Sequence, residues 1–242
     1  MPAWLHYLSI ASLVLAFGCA AWIALDVRRR PQPMWIMNVV WPVSALFGSA
    51  LWLWFYRRHG RASAERSVSS GGERDGASSD GDKPFPAMVA EGATHCGAGC
   101  TLGDIVAEWL AFFVPAVAVW FGYGSVFSDK IFAVWVLDFV VAFALGVVFQ
   151  YFTIAPMRNL GLRDGLVAAV KADTLSLTAW QVGMYGFMAF AHFVLFGRWL
   201  GIALETDTWA FWFMMQVAML CGFATSYPVN WWLLRAGLKE KM

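Results

Sequence analysis

Apolar positions in this chain gather into six long segments, at about residues 3–25, 35–56, 105–123, 131–152, 174–197 and 208–234. Several exceed the ~20 residues that cross a bilayer. In lipid the backbone has no water to bond with, so apolar runs of this length predict helices. Aromatic residues mark several ends: Trp35, Trp52, Trp54 and Tyr56 on the second, Trp199 and Trp209 between the last two, Trp231 and Trp232 near the end. Amphipathic rings of this kind settle at the membrane–water interface. The pattern predicts an all-α, polytopic membrane helix bundle of about six transmembrane helices.

One stretch breaks the pattern. Residues 57–93 lose apolar periodicity, and Ser, Gly, Asp, Glu and Arg dominate from Ala62 to Asp82. Such a segment buries too little surface to offset its ordering entropy and reads as a flexible linker. The expected organisation is a two-helix membrane segment over 1–56, a polar linker over 57–93, and a four-helix membrane domain over 94–242. From Arg163 the pattern turns amphipathic, with Leu166, Val167 and Val170 on one side. Continued to Gly197, that helix would run ~50 Å at 1.5 Å per residue, so its first turns protrude beyond a ~30 Å hydrocarbon layer.

Composition agrees. Charged residues are 14% of the chain and hydrophobic ones 60%, against roughly 25% charged in a soluble domain. A net charge of +1 supplies no basic stripe for nucleic acid, so the expected surroundings are the lipid bilayer of the cell (inner) membrane. The first segment reads as a retained helix, not a cleaved signal. With six crossings, twelve Lys and Arg fall on the side of the two termini and five on the other. The basic side faces the cytoplasm, which predicts both termini there, although Arg28, Arg29 and Arg30 stand on the wrong side.

The chemistry concentrates at residues 94–104, Thr-His-Cys-Gly-Ala-Gly-Cys-Thr-Leu-Gly-Asp. Thr101 and Asp104 fit a capping box ahead of the third apolar run, which makes Thr101 its expected N-cap and leaves Cys100 just outside the first turn. A helix N-terminus stabilises a thiolate. His95, Cys96 and Cys100 then offer soft and borderline donors to Cu(I) or Zn(II), with Asp104 and Glu108 one turn apart as added carboxylates. A redox-active Cys96–Cys100 disulfide and a purely structural turn are the competing readings.

Within the apolar segments, Met184, Met188 and His192 recur at intervals of four, with Gln181 a turn earlier, and Met215 and Met219 repeat the interval in the last segment. At 1.5 Å per residue, Met184 and Met219 come to similar depth in antiparallel helices, as do Met188 and Met215. Thioethers suit Cu(I), so these residues could outline a sulfur-lined passage; plain packing by adaptable methionines is the favoured account. Asp138 interrupts a run of apolar residues, and an intramembrane carboxylate is a functional candidate or a protonated, hydrogen-bonded one. Pro228 and Asn230 break the last segment, where a packing kink is the simpler account.

The block from His95 to Asp104, the four apolar segments after it and the ending Tyr227-Pro-Val-Asn-Trp-Trp resemble a family of bacterial and archaeal multi-pass membrane proteins catalogued as a domain of unknown function. The resemblance covers roughly residues 94–242. It transfers no activity and implies at most an association with copper handling. The expected function is membrane handling or transport of a soft metal, most simply copper, with a metallochaperone or metalloprotein as partner. A membrane thiol–disulfide oxidoreductase and a non-catalytic subunit or assembly factor are the alternatives. No phosphate loop, dinucleotide fingerprint or haem-attachment motif occurs, so neither nucleotide nor haem is expected, and an enzyme is the less favoured class.

Overall fold

A computed structural model describes residues 1–61, 83–158 and 161–239. The described residues are helical, without a β-strand: α1 (Ala3–Arg29), α2 (Met37–Phe55, continued by a π-helical turn Tyr56–Gly60), α3 (Phe85–Phe113), α4 (Ala116–Trp120), α5 (Lys130–Arg158), α6 (Leu162–Ala189, continued by π-helical Phe190–Leu200) and α7 (Trp209–Arg235). Six of these are long and apolar enough to cross a membrane. The chain is a multi-pass, all-α membrane bundle. α6 and its π-helical continuation run unbroken for 39 residues, long enough to protrude as the amphipathic start at Arg163 requires.

The third helix begins about twenty residues earlier than the sequence pattern predicts. Pro84 holds extended backbone (φ −59°, ψ 137°) and Pro86 lies in the first turn, where a missing N–H costs nothing and a fixed φ favours the helix. Phe85–Ala93 therefore belong to α3, not to a linker; residues 62–82 of that predicted linker lie outside the described residues. α3 is also the most enclosed of the long helices, packed against α2, α5, α6 and α7.

α2 does not run straight. Ser49 leaves the helical region (φ 46°, ψ −130°), and the chain folds back there. Trp41 stacks edge-on against Tyr56 with ring centroids 5.4 Å apart, although a continuous helix would separate them by ~22 Å. Tyr56 Oη donates to Asp26 Oδ2 at 3.0 Å, and Arg61 pairs with the same carboxylate at 2.9 Å. Both ends of α2 thus return to the end of the bundle where α1 finishes. The tip of this re-entrant hairpin reaches mid-bundle: Phe47 meets Trp180, and Trp52 Nε1 donates to Thr94 Oγ1 at 3.2 Å. A break at membrane depth frees carbonyls, tolerated where protein satisfies them. Here Gln216 Nε2 donates to the Leu46 carbonyl at 2.7 Å while Ser12 Oγ donates to Gln216 Oε1 at 2.7 Å.

The hairpin sets where the chain's ends lie in the bundle. The N-terminus of α1 and the C-terminus of α7 lie at opposite ends of the bundle. Phe85, at the start of α3, packs on Trp231 near the end of α7, and Lys239 Nζ donates to the Gly92 carbonyl at 3.2 Å. At the other end, Thr206 after α6 bonds Glu108 near the end of α3. α2 enters and leaves the bundle by one face, which is why the two termini stand opposite each other.

Candidate functional site

Because α3 starts at Phe85, the thiol block lies in the middle of a buried helix, not in a loop ahead of one. Thr101 is no N-cap: its hydroxyl donates to the Gly97 carbonyl at 2.7 Å, one turn back within the helix. A threonine in mid-helix commonly bonds this way, so the capping-box spacing with Asp104 is coincidental. Cys100 accordingly gains nothing from a helix N-terminus.

The glycines serve packing. A Cβ on Gly99 would lie 3.2 Å from the Gly146 backbone, and one on Gly103 would lie 2.7 Å from Ala142 Cα. Gly99 and Gly103 on α3 thus face Ala142 and Gly146 on α5, small residues at intervals of four that let two helices approach closely in a membrane. Gly97 makes room in the same way for the Trp180 indole.

Four-residue spacing sets Cys96, Cys100, Asp104 and Glu108 in one row along α3. All four are buried. The Cys96 and Cys100 thiols are neighbours one turn apart on this row, and the Asp173 carboxyl of α6 is close to Cys96, with neither of its oxygens hydrogen-bonded among the described residues. Below them the Asp104 carboxyl lies against that of Asp138 on α5. Tyr185 Oη lies 2.8 Å from Asp138 Oδ2 and 2.9 Å from the Trp135 carbonyl, so its single O–H is shared between these two acceptors. Glu108 closes the row, accepting from Thr206 Oγ1 at 3.1 Å. It borders a cavity of about 220 Å³ shared with Asp129, Glu205 and His192.

At the opposite end the buried polar groups are tied together. Asn230 Nδ2 donates to Ser176 Oγ at 2.7 Å and to Ser226 Oγ at 2.8 Å, while Lys239 Nζ donates to Asn230 Oδ1 at 2.8 Å. Lys83 pairs with Glu91 at 2.9 Å. A file of polar and ionisable side chains therefore runs from Lys239 and Asp173, through the thiols, to Glu108 and the His192 cavity. Groups of this kind inside a membrane bundle mark ion and proton pathways.

The remaining candidates divide. His95 faces away from the thiols: its Nε2 is 3.5 Å from Thr153 Oγ1 and its ring packs edge-on against Phe149. Adjacent positions on a helix point about 100° apart, so His95 and Cys96 cannot close on one atom without rearrangement. Among the described residues no three His, Cys, Asp or Glu side chains converge as a ready-made metal site. Met184, Met188, Met215 and Met219 do share a core cluster with Cys96, Cys100 and Trp180. Met219 Sδ accepts a hydrogen bond from Trp180 Nε1 at 3.3 Å. His192 lines the cavity bordered by Glu108. Gln181 is buried, with neither amide atom bonded among the described residues. Asn230 acts as a tie between helices.

Comparison with known families decides the affiliation. A family described as domain of unknown function DUF4396 matches residues 87–239. The chain belongs to that family. The DUF4396 match begins in the first turn of α3 and ends at Lys239, so it encloses the whole polar file and leaves α1 and the re-entrant hairpin outside. No curated protein and no solved structure matches the chain.

Sequence reasoning missed Asp173, Tyr185 and Lys239. Asp173 reads as the polar head of an apolar run, yet with Leu177 and Trp180 it follows a helical stripe that points inward. Tyr185 is a lone tyrosine inside such a run, and a buried phenol needs a partner.

Proposed function

We propose that this protein is a membrane transporter of a soft metal cation, with Cu(I) the cargo its groups suit best. One observation carries the reading: two adjacent thiols, both wholly buried, midway along a central helix and continuous with carboxyls on either side. A thiol pair gives Cu(I) two soft donors, and nearby thioethers can receive it in turn. The glycines of the block carry no weight here, since close helix packing accounts for them. The thiols, Asp104 and Asp138 are not explained by packing.

The thiol–disulfide alternative is weaker on geometry. Exchange needs an attacking thiolate to reach a disulfide, and neither Cys96 nor Cys100 has exposed surface. Orientation follows from charge. Among the described residues, Lys130 and Arg198 are the basic ones at the Glu108 end; the other twelve Lys and Arg belong to the opposite end. Lysine and arginine favour the cytoplasmic side, so the Glu108–His192 mouth faces outward from the inner membrane, the C-terminus lies in the cytoplasm and the N-terminus outside. The Arg28–Arg30 run then conforms to the rule.

The test is Cu(I) flux into proteoliposomes holding the full chain. Saturable uptake that vanishes in Cys96→Ser/Cys100→Ser supports the reading. Uptake equal to that of empty liposomes overturns it.

A further inference from the structure

A second site lies on the other side of Asp104, away from Asp138. A cavity of about 410 Å³ opens between α1, the hairpin tip, α3 and α7, within the usual range for small-molecule sites. Its walls are almost wholly apolar, with the indoles of Trp109, Trp209 and Trp212 and the rings of Phe17 and Phe47 among them. Phe17 and Trp209 are exposed at its rim, so it opens toward the acyl chains and not toward water.

Three polar side chains line it, and two are already occupied. The Thr101 hydroxyl donates to Gly97, and the Gln216 amide is held at both ends by Ser12 and Leu46. Asp104 is different. The residue is 1% exposed, no N–H or hydroxyl group donates to either carboxyl oxygen among the described residues, and its polar neighbour is the equally acidic carboxyl of Asp138. The cavity has no Lys or Arg in its wall, and the nearest charged neighbours of Asp104 are Asp138 and Glu108, both acidic. Carboxyls in contact away from water take a proton or a cation. Only Asp104 reaches the cavity, and aromatic faces around it favour a positive charge further.

We propose that this cavity binds lipophilic organic cations, protonated amines on an aromatic body, that enter from the bilayer. The ammonium donates to Asp104 and the ring packs among the three indoles. A neutral amphiphile fits the walls but leaves Asp104 beside Asp138 uncompensated. The site is independent of the thiol pair.

Isothermal titration of the detergent-purified full chain with 1-naphthylmethylammonium tests this, with 1-naphthalenemethanol as the neutral isostere and protein-free micelles as the blank. The expected result is saturable binding of the amine, with the alcohol weaker by about thirtyfold or more. Asp104→Asn should bring the amine down to the alcohol. Ile105→Trp, which fills the cavity and keeps Asp104, should weaken both. Cys96→Ser/Cys100→Ser should bind the amine as the parent does, which separates this site from the metal reading. Equal affinity for amine and alcohol in the parent chain, or no saturable binding of the amine, overturns the proposal without recourse to any variant.

Discussion

Three glycine-to-alanine substitutions test whether close helix packing is the reason for the glycines of α3. In an exposed helix interior this exchange gains about 1 kcal/mol. Gly186 on α6 has nothing within 4 Å of an added Cβ, so Gly186→Ala should show most of that gain. At Gly103 the added Cβ would stand 2.7 Å from Ala142 Cα, about 1 Å inside the ~3.5–4.0 Å optimum for two carbons. The obstacle is backbone, so α3 and α5 must separate. Overpacking of this kind costs about 1–3 kcal/mol, which outweighs the helix gain and leaves a net loss of about 1 kcal/mol. Gly99→Ala, with its Cβ 3.2 Å from Gly146, needs only a small adjustment and should fall between. Thermal unfolding of the detergent-solubilised protein reads the order, because about 1 kcal/mol moves the midpoint by roughly 2–4 °C in a domain of this size. Gly186→Ala should melt highest and Gly103→Ala lowest, by about 4–8 °C. A Gly103→Ala protein as stable as Gly186→Ala would refute the close α3–α5 contact.

Further predictions test the hairpin and the polar file. Ser49→Gly should hold or raise stability, because glycine accepts φ 46° without a Cβ clash; in a continuous helix the same change would cost about 0.5 kcal/mol. A membrane-impermeant maleimide added to intact cells should label Ala3→Cys and leave Arg57→Cys unlabelled, and the reverse pattern would contradict the proposed orientation. Tyr185→Phe removes the hydrogen bond to Asp138 Oδ2 and should cost about 1–3 kcal/mol of stability, as for any buried acceptor left unpaired. An unchanged melting point would mean that the phenol is not a partner of that carboxyl.

The membrane class was legible because segment length and backbone satisfaction in lipid leave few choices. The long α6 was legible too, since an amphipathic start feeding an apolar run has one continuous reading. The start of α3 was not. Gly92, Gly97, Gly99 and Gly103 each argue locally against a helix, and only the partner surfaces of Trp180, Gly146 and Ala142 reverse that argument. Local preference lost to a tertiary contact that no window of the sequence contains. The start signal lay in Pro84 and Pro86, at the end of a polar stretch without apolar periodicity. The hairpin was hidden for a related reason: Ser49 is an ordinary residue in an apolar run, and the break appears only where Trp41 meets Tyr56. The Arg28–Arg30 run was its one trace in the sequence, a charge imbalance that the proposed orientation removes. At the site, the four-residue row from Cys96 to Glu108 could be read directly, but its partners Asp173, Asp138 and Tyr185 come from helices far along the chain.

The most direct test of the thiol pair as a metal relay is anaerobic Cu(I) titration of the purified full chain against a chromophoric chelator, beside Cys96→Ser/Cys100→Ser. The account predicts about one Cu(I) per chain in the parent, with sulfur-only ligation by X-ray absorption, and none held by the variant under the same competition. A variant that binds as the parent does, or a parent that yields all its copper to the chelator, would contradict it.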